Sequence, residues 1–172
     1  MIRASILALG VLLASAAAAS ADDATLLGTT KDWSALTSGS GSDKVCYAMA
    51  KPRSSDPRKI KRDPIYFLIT DWPGRRTKSE PEAVPGYQYK DGSTVTAQVG
   101  ADKFEFFIQN DGTSGSAWIR KRNDEVRLVE AMRGGQELIV TGTSKRGTLT
   151  RDTYSLAGLG DALDRIHKEC GM

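Results

Sequence analysis

"TSKRGTLTRDTYSL", residues 143–156, decides how the last third of this chain is read. Its hydroxyls, cations and aspartate suit either a reactive loop or two strands with a turn between them. The flanks choose the second reading. "ELIVTGT" leads in and "TLTRDTYSL" leads out, both rich in β-branched residues that pack well on a pleated surface. Between them stands Ser144-Lys145-Arg146-Gly147, with Gly147 suited to the left-handed position of a short hairpin loop. The threonines then line a half-wet strand. Leu149 and Leu156 fall on opposite parities, so the buried face of the outgoing strand stays open.

Upstream, the same period of two recurs. Val95, Ala97 and Val99 alternate with Thr94, Thr96 and Gln98, and Phe104, Phe106 and Ile108 alternate with Lys103, Glu105 and Gln109, with Phe107 the exception. "GYQYK" and "STVTAQV" flank Asp91-Gly92, a short-range hairpin signal. "VCYAMA" and "IYFLIT" are apolar or small on both parities, which suits strands covered on both faces. The proline-punctuated segments "KPRSSDPRKIKRDP" and "DWPGRRTKSEPEAVPG" read as loops. Two segments change period. "NDEVRLVEAMRGG" and "LGDALDRIHKEC" carry apolar residues three and four apart, one side of a helix each. The expectation is a mainly β, antiparallel fold with two short helices, one of them C-terminal.

The first residues set the compartment. A basic start, a short apolar run and Ala19-Ser20-Ala21 read as a secretory signal peptide over 1–21. Residues 22–31 read as a mobile lead-in, and 32–172 as one β-sandwich domain. Without 1–21 the chain holds 23 Lys and Arg against 21 Asp and Glu. This near-neutral balance points to no class of partner. Cys46 and Cys170 are an even pair in an exported chain, which favours a disulfide. Cys170 lies on the apolar helical stripe, facing the body where Cys46 on an early strand can meet it.

Few residues offer chemistry. His167, the sole histidine, lies off the stripe near Asp164 and reads as an exposed residue at a helix end. No nucleophile-elbow sequence, phosphate-cradling glycine loop or metal-ligand spacing is present, so no catalytic residue, cofactor or metal is expected. The clearest charge signal runs from Lys51 to Lys78, nine cations against three aspartates. Arg58, Lys59, Lys61, Arg62, Arg75 and Arg76, extended by Lys145 and Arg146 if the hairpins lie side by side, form the candidate contact surface. Such a patch attracts acidic glycans or lipid head groups.

Several fragments carry a resemblance. "DW" at Asp32-Trp33, "VCYAMAKP" from Val45, "YFLIT" from Tyr66, "AMRGG" from Ala131, "VTGTSKRGTLTRDTYSL" from Val140 and the closing "ALDRIHKEC" resemble the invasion-associated locus B family of α-proteobacterial exported proteins. The resemblance implies an immunoglobulin-like β-sandwich, a periplasmic or secreted location and no catalytic activity. The family is named for a role in host-cell entry. More typical members carry a cysteine just after the tryptophan; here Ser34-Ala35-Leu36 stands there instead. The expected function is a non-catalytic envelope-associated binding protein that is not an integral membrane protein. Its expected partners are an acidic glycan, a lipid head group or an envelope protein, and not nucleic acid. The alternative is a secreted hydrolase using Ser144, Thr148 and Asp152.

Overall fold

The computed structural model describes residues 24–58 and 60–172. The signal peptide expected over 1–21, and Lys59, lie outside the described residues. The elements are β1 (Thr25–Thr30), β2 (Trp33–Ser38), β3 (Val45–Ala50), β4 (Ser54–Asp56), β5 (Tyr66–Trp72), β6 (Thr77–Val84), β7 (Val95–Val99), β8 (Asp102–Asn110), β9 (Gly115–Trp118), α1 (Arg122–Gly134), β10 (Glu137–Thr143), β11 (Leu149–Ser155) and α2 (Leu159–Cys170). The strands form one antiparallel sheet in the order β1-β2-β3-β5-β6-β9-β8-β7-β10-β11-β4. The mainly β expectation with two helices, one C-terminal, is met.

β8 is where the sheet turns. Its first five residues pair with β7, from Val99↔Asp102 to Val95↔Phe106. Its last four pair with β9, from Phe107↔Trp118 to Asn110↔Gly115. Six inter-strand steps separate β5 from β11. A flat sheet would hold them about 29 Å apart. Phe67 of β5 nevertheless meets Tyr154 of β11 edge to face, with ring centroids 5.8 Å apart. The sheet therefore folds back, and its two halves enclose the core. This is compatible with a sandwich whose layers are continuous through β8. Trp33, fully buried, closes the far edge by donating its indole N–H to Ser155 O at 2.9 Å.

Both helices pack on the inner side. α2 lies against β1, β2, β3 and β5, burying Leu159, Leu163 and Ile166. A Cys46–Cys170 disulfide with Cα atoms 6.0 Å apart ties its last residue to β3. Closing a loop of this length stabilises the fold by about 4–5 kcal/mol in the chain-entropy model. α1 packs against β6, β7 and β8 and buries Leu128, Val129 and Met132.

Four local expectations are corrected. Thr25–Thr30, expected within a mobile lead-in, is an edge strand paired with β2. Its own alternation is weak, and its pairing with β2 runs from Thr25↔Thr37 to Thr30↔Trp33. "TKSEPEAV", expected as loop, is β6. Among the described residues β9 pairs with β6 at Glu82 and Ala83 alone, so beside Pro81 the strand has a single neighbour, and a missing N–H is tolerated there. Ser54–Asp56, also expected as loop, forms a short edge strand on β11. The hairpin expected over Asp91-Gly92 does not form. Tyr89 bridges to Ser144 instead, and the Asn110 amide satisfies both its backbone N–H (2.9 Å) and its carbonyl (3.0 Å).

Candidate functional site

At the end of the molecule where the β10–β11 turn emerges, a groove of about 710 Å³ opens between that turn and the segment entering β5. Lys61 stands on one side, and Lys145 and Arg146 on the other, all exposed. Hydroxyls of Thr113, Thr148 and Thr150, with Tyr87, line the space between them. The turn is rigid for local reasons. Gly147 takes φ +85, Gly147 N donates to Ser144 O, and Thr148 N donates to Ser144 Oγ at 3.1 Å. The Lys145 backbone N–H donates to Gln88 O at 2.8 Å and its ammonium to Gln88 Oε1 at 3.0 Å. These bonds dock the turn onto residues 87–90.

Below the groove lies a buried ion pair. On β11 the inward parity is Thr150, Asp152 and Tyr154, and Leu149 points out at 64% exposure. Asp152 faces Arg62 with Nη2–Oδ1 2.6 Å and Nη1–Oδ2 2.9 Å, the two side chains only 5% and 4% exposed. Arg62 Nη1 also reaches Pro85 O at 3.3 Å, and the guanidinium stands over the Tyr87 ring. Burial works against its charge, but the Asp152 carboxylate more than offsets that and raises the guanidinium's pKa. The Tyr87 hydroxyl meets Thr150 Oγ1 at 2.6 Å, and burial pushes its phenol pKa up. Arg62 thus pins the segment before β5 onto β11 and sets one wall of the groove.

The expected cations separate into groups. Lys61, Lys145 and Arg146 come together around the groove. Arg62 adjoins it but is consumed by Asp152, so the expectation of a surface cation is corrected there. Arg58 is exposed beyond β4. Arg75 belongs to a different cleft of about 170 Å³ with Ser42, Asp43, Lys44 and Gly74, and it stacks on Trp72 at 4.4 Å. Arg76 follows it, exposed, in the left-handed region at φ +54. Asp152 escaped sequence reading as a buried partner because it lies between two polar residues. Its one signal was the period of two shared with Thr150 and Tyr154.

The groups named for hydrolysis are engaged in structure. Ser144 Oγ accepts a turn N–H, and Asp152 is held in bidentate fashion by Arg62. A second set was not anticipated. His167 is half-buried, not exposed, because residues of β5 and β6 turn toward α2 there. Its Nε2 lies 2.9 Å from Ser79 Oγ and 3.7 Å from Asp71 Oδ1. Both groups address one ring nitrogen, whereas a serine nucleophile needs the carboxylate on the other. Asp71 is fully buried, accepts Ser79 N–H at 2.8 Å on Oδ1, and leaves Oδ2 without a partner. Burial raises its pKa, opposed by the Ser79 N–H, His167, Lys78 and Arg122. Burial lowers that of His167, opposed by Asp71.

The eleven strands and two helices have a counterpart among solved structures. The fold is similar to that of invasion associated protein B from Bartonella henselae. The alignment covers 84% of this chain and 98% of that one, at 16% identity and a TM-score of 0.57. At this identity the likeness is one of fold. Neither a protein-family model nor a curated protein matches the chain. No helix among the described residues is long and apolar enough to cross a membrane.

Proposed function

We propose that this chain is an exported, non-catalytic protein of the bacterial envelope, related to the invasion-associated proteins, and that its groove binds anionic oxygens of an acidic glycan or a lipid head group. The observation that carries this reading is the meeting of Lys61 with Lys145 and Arg146 around one groove, from segments far apart in sequence. The fold likeness and the resemblance of residues 140–156 support the family, and the disulfide supports an oxidising compartment. A volume of about 710 Å³ lies within the range of small-molecule sites. Rim cations supply attraction, and the floor hydroxyls supply orientation.

Binding to a sulfated glycan resin and to vesicles containing anionic phospholipid tests this and separates the two sources. The triple variant Lys61→Glu, Lys145→Glu, Arg146→Glu is expected to weaken binding at least about tenfold and to flatten its salt dependence. Arg75→Glu with Arg76→Glu is expected to leave it unchanged. Equal binding by the triple variant contradicts the proposal.

A further inference from the structure

β3 and β5 are apolar on both parities, the pattern of strands buried on both faces. Among the described residues the two faces are buried unequally: Cys46, Ala48, Ala50, Phe67 and Ile69 are buried, whereas Tyr47, Met49 and Leu68 are half-buried. The inner parity of Cys46, Ala48, Ala50, Phe67 and Ile69 is met by α2 and by the facing half-sheet. The other parity forms a continuous cross-strand row, Met49↔Leu68, Leu68↔Glu82, Glu82↔Trp118 and Trp118↔Phe107, spanning β3, β5, β6, β9 and β8. Tyr47 lies beside it, and every one of these side chains is half-buried. The opposite outer face is built differently. It presents Thr96↔Thr141 and Thr141↔Arg151, an ordinary solvated surface. A mostly apolar sheet face, interrupted by Glu82 and present on one side only, suits an interaction site.

The charges on that face indicate the occupant. Glu80 and Glu82 stand within it, while Lys51 lies over the Tyr66 ring at 5.9 Å and Arg120 over the Phe107 ring at 4.4 Å. A partner of one sign leaves the other sign unmatched. A second copy of the same face brings both, and self-complementarity is the condition for a two-fold contact. Two sheet faces stack about 10 Å apart with interdigitating side chains, which suits rows of Leu, Met and aromatic residues. Burial raises the pKa of Glu82, opposed by a hydrogen bond with Ser116 and reinforced by the neighbouring Glu80.

We propose that the outer face of β3, β5, β6, β9 and β8 is the contact between two copies of this chain. Sedimentation equilibrium of the wild-type protein should then show a monomer–dimer equilibrium. Leu68→Asp should raise the dimer's dissociation constant about tenfold or more, because it places an unpaired charge in the contact. Tyr47→Arg, nearer the margin of the face, should weaken association with an intact fold by circular dichroism and an intact disulfide. Lys145→Glu with Arg146→Glu should leave association unchanged. In the unaltered protein, peroxide oxidation of Met49, read by peptide mass spectrometry, should slow as concentration rises through the association range. A wild-type monomer at all concentrations overturns the proposal, and so does Met49 oxidation independent of concentration. Dimers that persist with both outer-face variants also overturn it.

Discussion

Asp71 brings a carboxylate into full burial, and among the described residues one of its oxygens has no hydrogen-bond partner. A raised native pKa means that its contribution to stability is fully present below its ordinary value of 3.8 and is lost as pH rises through the raised one. His167 behaves oppositely in kind. Its native pKa is lowered, so its contribution is present above 6.5 and is lost as pH falls below it. Asp71→Asn keeps the acceptor for Ser79 N–H and removes the buried charge. It is therefore expected to raise stability by about 1 kcal/mol at neutral pH and by little near pH 3, where Asp71 is protonated in either state. Thermal unfolding at both pH values checks this. A neutral-pH loss on substitution would show that the ionised Asp71 is instead sustained by His167. None of this was legible in the sequence. Asp71 follows an apolar run and reads as the first residue of a loop, and His167 sits off the helical stripe. Only the register Cys46↔Asp71 turns the carboxylate toward α2.

At the scale of elements, the segment before β5 is held by one interaction with β11. Asp152→Ala leaves the Arg62 guanidinium buried with only the Pro85 carbonyl and the Tyr87 ring, and is expected to cost about 3–5 kcal/mol in urea unfolding. Arg62→Met with Asp152→Leu is expected to cost much less, since the desolvated charges leave together. A single variant within 1 kcal/mol of wild type would show that the pair does not anchor the segment. β7 with its clean alternation, β8 with Phe107 the one exception, and both helices with their apolar stripes were readable because packing and pattern agree there. β6 was hidden by Pro81, which β9 does not reach. β1 and β4 were hidden because edge strands need little pattern of their own. The false hairpin over Asp91-Gly92 had correct turn chemistry, yet Tyr89 gains more from Asn110 and the end of β10. Among the candidate cations, sequence clustering could not separate Arg62 from Lys61, because their difference lies in an aspartate 90 residues away.

At the scale of the whole molecule, folding the sheet at β8 brings the start of β5 over β11 and so carries Lys61 to the Lys145-Arg146 turn. The disulfide fixes the opposite side, joining the last helical residue to β3. The groove is thus a product of closure, and no single segment contains it. The apolar strands told of two covered faces, and among the described residues the inner one is buried and the outer one half-buried. Titration of the isotope-labelled protein with a sulfated hexasaccharide, followed by amide NMR shifts, distinguishes the groove from that outer face residue by residue. Shifts confined to Lys61, Thr113 and residues 144–148, diminishing as salt rises, are predicted. No shifts, or shifts centred on Arg75 and Arg76 or on Tyr47, Met49 and Leu68, would contradict the assignment of the groove.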